Sequence, residues 1–285
     1  MSARTWTIRD VLDWATQDFS ARGIESARLD AELLVASALG IDRIGLYLDL
    51  HRPLQEAERS AIRPLVARRR DREPVAYILG YRDFFGRRFE VTPDVLIPRP
   101  DTETLVDHAL AQIPAEAPCK VLDVGTGSGA IAVTLAAERP SAMVTATDIS
   151  EPALEVAARN ATMHGLERRI DLQRVDLLRA GEPYDVIVSN PPYVTTAELQ
   201  GLQDDVRLYE PATALEAGED GLDVVRRLLA AAVPATEPGA HLLIEIGAGQ
   251  APAVGELAAQ SSAWERAAVY LDLNRIERVV HLRRI

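Results

Sequence analysis

The sequence predicts an α/β fold, in which a seven-stranded, mostly parallel sheet with an antiparallel last strand follows a small N-terminal helical bundle and a hairpin linker. Three observations support this prediction. Apolar residues recur at helical spacing up to about residue 75. From residue 103 onward, short apolar runs alternate with helical patterns, as in a parallel sheet covered on both faces. The last two predicted strands are joined by a turn too short for a parallel crossover.

Residues 1–75 are predicted to form a helical domain that recognises a substrate. Its first helix begins after the N-cap Thr7, and its apolar residues recur at helical spacing: Ile8, Val11, Leu12, Ala15 and Phe19. Further helices are predicted near 26–40, 44–50 and 56–70, the last with a kink or restart at Pro64. The basic cluster at its end is expected to be solvated, with contact to a partner as the alternative: Arg68, Arg69, Arg70 and Arg72. Because this region lacks clustered His, Cys or paired carboxylates, we expect it to recognise or position a substrate.

Residues 76–102 are predicted to form a hairpin, turning near Gly86, and a linker stiffened by prolines. Residues 103–285 are predicted to form the sheet domain. Its strands are expected at 120–124, 143–147, 170–175, 184–189, 241–246, 267–270 and 278–282, and its helices at 130–138, 152–164, 222–233 and 251–259.

Composition and charge exclude several classes of function. The chain of 285 residues has a formal net charge of −12, and the acidic excess falls after residue 90, which disfavours stable binding to nucleic acid. No apolar run approaches the ~20 residues needed to span a bilayer. The single cysteine, Cys119, fits a reducing compartment, so we expect a cytoplasmic protein without a membrane partner. His108, His164 and His241 lack metal-ligand spacing, and we expect no metal.

A glycine-rich loop predicts a nucleoside cofactor at the carboxyl ends of the strands. It follows the first strand of the sheet domain and contains the expected cofactor-binding residues Gly125, Thr126, Gly127, Ser128 and Gly129. Asp148 follows the second strand, where its carboxylate can accept hydrogen bonds from both ribose hydroxyls. The glycine spacing is G-x-G-x-G, which differs from that of dinucleotide sites. Asp176 and Leu177 follow the third strand, where their side chains could flank an adenine ring. For Asp176, capping of the strand end is an equally supported alternative.

The tetrapeptide Asn190-Pro191-Pro192-Tyr193 follows the fourth strand. Two prolines cannot continue a sheet ladder and leave a rigid corner with a free carbonyl group. An Asn side-chain oxygen beside that carbonyl provides two acceptors that can hold both protons of one NH₂ group. Taken alone, the tetrapeptide is equally consistent with an ordinary strand-ending turn. Glu245, near the end of the fifth strand, is expected close to the same cleft.

These features resemble class I S-adenosylmethionine-dependent methyltransferases that act on planar nitrogens. The whole chain resembles the HemK/PrmC family, the peptide chain release factor glutamine methyltransferases. The likeness runs nearly end to end and includes residues 25–34, 73–80, 95–103, 209–211, 214–215 and 218–222. The tetrapeptide is shared with DNA adenine methyltransferases, but the helical N-terminal segments and the Pro-Arg-Pro linker are specific to the family. One departure is Leu177, where some members carry an aromatic residue beside the adenine.

The resemblance implies methyl transfer from S-adenosyl-L-methionine to the side-chain amide of the glutamine in the Gly-Gly-Gln loop of release factors. Residues 103–285 are then the methyltransferase domain, and the release factor is the partner. Asn190, Pro191 and Tyr193 are the expected catalytic residues, Asn190 through Tyr193 bind the substrate, and Asn190 also contacts the cofactor. Two alternatives remain, N6-adenine methylation of DNA or RNA and a non-enzymatic cofactor-binding adaptor. The first requires a flipped base and a basic groove.

Overall fold

The computed structural model describes residues 5–179, 181 and 183–285, which form two compact units. The helical unit comprises the described residues up to Gly80 together with Asp204–Tyr209. The sheet unit comprises Tyr81–Gln203 and Glu210–Ile285. Of the segment predicted as hairpin and linker, residues 81–102 therefore belong to the sheet unit.

The helical unit begins with helices whose bounds are α1 (Ile8–Ala21), α2 (Ala27–Leu39), α3 (Arg43–Leu48), α4 (Glu56–Arg70) and α5 (Val75–Leu79). Thr7 caps α1 as predicted, because its hydroxyl accepts the N–H of Asp10 at 3.2 Å. Helix α4 continues through Pro64 as one helix, which excludes the restart, one of the two outcomes predicted there, and leaves the kink a prediction. Apolar residues from several helices form the core of this unit, including Ile8, Leu12, Phe19, Leu34 and Leu46.

Arg69 is buried in the helical unit, so the prediction of a fully solvated basic cluster is wrong. Its Nε donates to the carboxylate of Asp30 at 2.7 Å, and its Nη2 donates to Asp205 at 3.1 Å. The Arg69 and Asp30 side chains are only 4% and 7% exposed. The helix-end pattern could not indicate this burial, because both partners lie far from Arg69 in the sequence.

The sheet unit opens with a hairpin of β1 (Tyr81–Phe84) and β2 (Arg87–Glu90), which pair antiparallel. Phe85 and Gly86 form its turn, with φ of +49° and +71°. Two central residues with positive φ match the twist of a hairpin, which confirms the turn predicted near Gly86.

The remaining strands form one seven-stranded sheet. In chain order the elements are α6 (Glu103–Leu110), β3 (Cys119–Val124), α7 (Ala130–Glu138), β4 (Ala142–Asp148), α8 (Glu151–Met163), β5 (Ile170–Arg174), β6 (Tyr184–Ser189), α9 (Thr196–Leu199), α10 (Asp204–Tyr209, in the helical unit), α11 (Asp223–Ala232), β7 (Thr236–Glu245), α12 (Ala251–Gln260), β8 (Trp264–Leu271) and β9 (Glu277–Arg284). All seven predicted strands and four predicted helices of this domain are present, with ends shifted by a few residues. Helices α6, α9 and α10 were not predicted, since each is short and lacks an extended apolar pattern.

The strand order is β5-β4-β3-β6-β7-β9-β8, and the first five strands in this order pair parallel to one another. The last strand, β9, pairs antiparallel with both β7 and β8, which confirms its predicted direction. It is inserted between these two strands, so β8 and not β9 forms the edge of the sheet.

Alternating residues of the central strands build one apolar cluster on each face of the sheet. Val121 and Val186 pack in a cluster with residues of α6 and α7. Leu122 and Ile187 pack in a second cluster with residues of α11 and α12. Helices thus cover both faces, as the alternating pattern predicted, and the carboxyl ends of β3, β4 and β6 are left to form a site.

Candidate active site

A cavity of about 540 Å³ opens at the carboxyl ends of the parallel strands, entirely within the sheet unit. Most of the residues predicted for the site line it: Gly125, Thr126, Gly127, Ser128, Asp148, Asp176, Leu177, Asn190, Pro191 and Pro192. Gly129 and Tyr193 do not line this cavity. Four parts of the chain, after β3, β4, β5 and β6, therefore meet at one end of the sheet, as their positions after parallel strands predicted.

The glycine loop adopts a backbone that favours glycine, with φ of +73° at Gly125, +54° at Gly127 and +80° at Gly129. A Cβ at Gly125 or Gly127 would meet nothing within 4 Å, which leaves open space on the cavity side. A Cβ at Gly129 would lie 3.1 Å from the Cβ of Ala157 in α8. Gly129 thus packs closely against α8.

Asp148, at the end of β4, is held by the backbone in front of the cavity. Its Oδ2 accepts the N–H of Gly127 and its Oδ1 accepts the N–H of Ser150, both at 2.9 Å. These two bonds fix the carboxylate and join the tip of β4 to the glycine loop. Each carboxylate oxygen keeps further acceptor capacity for a ligand.

Apolar and charged side chains line the cavity beyond Asp148. Ile149 is 61% exposed although it is a large apolar residue, and it lines the cavity. Leu177 has φ of +65°, and its carbonyl accepts the Thr147 hydroxyl at 2.6 Å. The Asp176 carboxylate forms an ion pair with Arg227. Ile149 was not among the predicted site residues, although its place directly after an acidic strand tip was an available signal.

Asn190 lies at the end of β6 with its amide held from behind. Its Nδ2 donates to the hydroxyl of Thr102 at 3.2 Å. The preceding residue, Ser189, donates its hydroxyl to the carbonyl of Val124 at 2.8 Å, which ties β6 to β3 at this level. Thr102 is itself buried and lies just before α6, within the segment predicted as a linker. Thr102 therefore contacts the tetrapeptide, although it was not among the predicted site residues.

Tyr193 lines a second pocket, together with Thr195, Glu198 and residues 247–250. Its ring is packed so closely against Gly247 that a Cβ there would lie 3.2 Å from Tyr193 Cδ2. Burial raises the pKa of Tyr193, with a further contribution from nearby Glu245. Tyr193 thus lies beside Glu245 while lining a different pocket from the other three residues of the tetrapeptide.

Two buried carboxyl groups lie beside the site, at Asp123 in β3 and Glu245 in β7. Burial raises the pKa of each to about 7, against hydrogen bonds that favour the ionised form. Asp123 Oδ2 accepts the hydroxyl of Thr126 at 2.7 Å and the N–H of Ala132 at 3.1 Å. Among the described residues, Asp123 Oδ1 and Glu245 Oε2 have no hydrogen-bond partner.

Comparison with known proteins gives the family. Residues 10–80 match the PrmC N-terminal domain and residues 101–208 match the methyltransferase small domain. The chain is 49% identical over 251 residues to the release factor glutamine methyltransferase of Geobacter sulfurreducens, with 87% of each chain covered. It is 41% identical over 286 residues to that of Rhodopirellula baltica, with 98% of this chain and 97% of the relative covered. The chain belongs to the release factor glutamine methyltransferase family.

Solved structures support the fold expected of a release factor glutamine methyltransferase. A ribosomal protein L11 methylase from Lactobacillus delbrueckii matches with a TM-score of 0.50 and 20% identity, over 72% of this chain and 90% of that one. A methyltransferase from Pyrococcus furiosus matches with a TM-score of 0.51 and 18% identity, over 70% and 90%. The predicted class I methyltransferase fold and family resemblance are thus confirmed.

No helix among the described residues is long and apolar enough to cross a membrane. No group of three or more His, Cys, Asp or Glu side chains among them could hold a metal ion.

Proposed function

We propose that this protein transfers a methyl group from S-adenosyl-L-methionine to the side-chain amide nitrogen of the glutamine in the Gly-Gly-Gln loop of peptide chain release factors. One observation carries the proposal: Asn190 lies at the cavity with its Nδ2 engaged by Thr102, which leaves its Oδ1 as an acceptor. Family membership supports the choice of substrate. We further propose a cytoplasmic site of action and a recognition role for the helical unit.

The residues around the cavity fit S-adenosyl-L-methionine. Open space beside Gly125 and Gly127 admits a ligand against the loop backbone, and the fixed carboxylate of Asp148 suits a ribose. Ile149 and Leu177 offer apolar surface for an adenine ring, and Asp176 can accept a hydrogen bond at its edge. When bound, the cofactor supplies an electrophilic methyl group on a sulfonium. Leu177 stands where some family members carry an aromatic residue, but Ile149 adds apolar surface beside the proposed adenine position, so the cavity still suits the cofactor.

The proposed catalytic groups orient the acceptor nitrogen. An amide nitrogen is a weak nucleophile because its lone pair is delocalised into the carbonyl. Asn190 Oδ1 and the Pro191 carbonyl each accept one N–H of the glutamine, which fixes the direction of the nitrogen. These hydrogen bonds strengthen as positive charge develops on nitrogen, so they favour the transition state over the ground state. Pro191 and Pro192 keep the corner rigid. For Tyr193 we propose support of this corner, since its ring packs on Gly247 beyond the main cavity.

N6-adenine methylation would require the same two acceptors, but no observation favours it. The formal net charge of −12 opposes binding to a phosphate backbone. Both relatives described above carry the name of the glutamine methyltransferase.

The test is to offer labelled S-adenosyl-L-methionine with a purified release factor and, separately, with DNA. We expect label on the factor, lost when its Gly-Gly-Gln glutamine is replaced by alanine. Asn190→Ala should abolish transfer and retain most of the cofactor affinity. Label on DNA and not on the factor would overturn the proposal, and unchanged turnover of Asn190→Ala would remove the role given to Asn190.

A further inference from the structure

A chain of three side chains runs behind the site, from Asn190 through Thr102 to Glu245. The amide Nδ2 of Asn190 donates to the Thr102 hydroxyl at 3.2 Å. The Thr102 hydroxyl also lies within reach of the Glu245 carboxyl group, where hydrogen bonding from Thr102 acts to lower the pKa of that group. Thr102 and Glu245 are 4% and 1% exposed, so solvent does not compete for these groups. None of the three is adjacent in sequence.

The orientation of the Asn190 amide decides whether it can hold an NH₂ group. The two ends of an asparagine amide have nearly the same shape, but one accepts hydrogen bonds and the other only donates. A flipped amide would place an N–H donor against the donors of the acceptor nitrogen. The Pro191 carbonyl has no such ambiguity, so Asn190 is the residue that needs a device to select its orientation.

We infer that Thr102 and Glu245 are positioning residues that keep the oxygen of Asn190, and not its NH₂ group, turned toward the methyl acceptor. This inference rests on the proposed function. A hydroxyl has a single proton. While Thr102 gives that proton to the Glu245 carboxylate, it can only accept from Asn190, and the amide is fixed with Nδ2 to the rear.

The ionisation state of Glu245 determines how firmly the Thr102 hydroxyl is held as a donor to Glu245 and an acceptor from Asn190. Several charged or titratable groups act on this carboxyl: Arg278 from β9, Asp101 and Arg99 from the segment before α6, and Tyr193. Burial dominates and raises the pKa of Glu245 to about 7. Protonated Glu245 can donate to Thr102, which frees the hydroxyl to donate to a flipped Asn190. The turnover number should therefore rise with pH through about 7, and Glu245→Gln should flatten that rise, because its amide does not titrate.

Kinetics of three threonine variants test the inference. Thr102→Val keeps the shape but removes the hydroxyl, and we expect kcat to fall about 10- to 100-fold, with cofactor affinity unchanged. Thr102→Ser keeps the hydroxyl and should restore most of kcat. Thr134→Val is the matched control, because Thr134 is equally buried and bonds only to the Ala130 carbonyl of its own helix, at 2.7 Å. Wild-type kcat in Thr102→Val would overturn the inference, as would an equal loss in Thr102→Val and Thr134→Val.

A spectroscopic readout separates this inference from the proposed function. The chain contains three asparagines, Asn160, Asn190 and Asn274, so ¹⁵N-asparagine labelling yields few side-chain NH₂ signals. The Asn190 pair, assigned by its loss in Asn190→Ala, should be protected from exchange in the wild type and in Thr102→Ser. It should shift and exchange faster in Thr102→Val. An unchanged Asn190 signal in Thr102→Val overturns the inference whether or not the release factor is methylated. Failure of the wild type to methylate the factor overturns the proposed function alone.

Discussion

The buried carboxylates of the helical unit differ from the two buried carboxyl groups beside the cavity, Asp123 and Glu245, in how their charge is compensated. In the helical unit, the Glu32 side chain is 1% exposed and accepts hydrogen bonds from Arg28 and Arg43, each at 2.7 Å, and from Tyr47. Burial acts to raise the pKa of Glu32, but these hydrogen bonds together outweigh it, and its pKa lies below the usual value. Arg69 is likewise enclosed between Asp30 and Asp205.

In the sheet unit, the buried carboxyl groups beside the cavity have no such direct ion pair. Among the described residues, no ion pair reaches Asp123 or Glu245, and one oxygen of each has no hydrogen-bond partner. Their pKa values consequently rise to about 7. Buried charge at Glu32 and Arg69 is thus neutralised by direct ion pairs, whereas Asp123 and Glu245 are left with pKa values near neutrality. Buried carboxyl groups with strongly raised pKa values are typical of functional sites.

Removing one partner of the buried Arg69–Asp30 ion pair should have the largest effect on stability. Arg69→Met leaves Asp30 buried without its cation, and we expect a loss of about 3–5 kcal/mol in the free energy of unfolding. Urea denaturation of the full chain measures it. The double variant Arg69→Met/Asp30→Leu removes both charges and should recover much of the loss. A loss below about 1 kcal/mol in the single variant would contradict the distinction between the two units.

Asp148 is an intermediate case, since it is partly buried and held by backbone N–H groups instead of a cation. Asp148→Ala should weaken binding of S-adenosyl-L-methionine by about 1.5–3 kcal/mol, the value of hydrogen bonds to a charged acceptor. Isothermal titration calorimetry measures this change. Asp148→Asn keeps one acceptor oxygen and should lose less. An unshifted isotherm for Asp148→Ala would remove this residue from the cofactor site.

The pH dependence of stability tests the unpaired carboxyl groups. Because the pKa values of Asp123 and Glu245 are raised by folding, the native state binds protons more tightly than the unfolded chain between about pH 4 and the native value of about 7. Their contribution to stability is fully present below this window and falls as pH rises through it, by at most about 1.4 kcal/mol per pH unit for each group.

The free energy of unfolding of the double variant Asp123→Asn/Glu245→Gln should therefore rise relative to that of the wild type as pH rises from 5 to 8. Urea denaturation at each pH measures this difference. The comparison uses the difference between the two proteins, because His108, His241 and His281 titrate in both. Burial lowers the pKa of these histidines, so their contribution has the opposite sign and cancels in the difference. Parallel pH profiles would show that the two carboxyl groups do not titrate as described.

An exposed ion pair should contribute the least to stability among the groups compared. Arg174 and Glu151 lie 2.7 Å apart but are 63% and 65% exposed. Arg174→Ala should change the free energy of unfolding by no more than about 1 kcal/mol, again by urea denaturation. A loss as large as that of Arg69→Met would mean that burial does not determine the value of these pairs.

Sequence reasoning succeeded where a feature depends on local pattern. The alternation of strands and helices, the glycine loop, Asp148 and the tetrapeptide each occupy one short segment, and parallel strands bring their carboxyl ends together. It failed where a contact joins distant segments. Thr102 was assigned to a linker because nothing nearby indicates that Asn190 lies against it. Arg69 was assigned to solvent because Asp30 and Asp205 are brought to it only by tertiary packing. The inserted position of β9 could not be derived either, since a short turn fixes direction and not neighbours.

The position of β9 has a consequence for the order of folding. Strand β8 is synthesised first, yet its neighbour in the sheet is β9, which also pairs with β7. The β8–β9 hairpin must form and then join β7, or β9 must join β7 before β8 can attach. A nascent chain that has reached β8 still exposes the edge of β7, where Leu242 and Ile244 later pair with residues of β9. Removing β9 alone would therefore remove two strands, and it would leave an apolar edge open to aggregation.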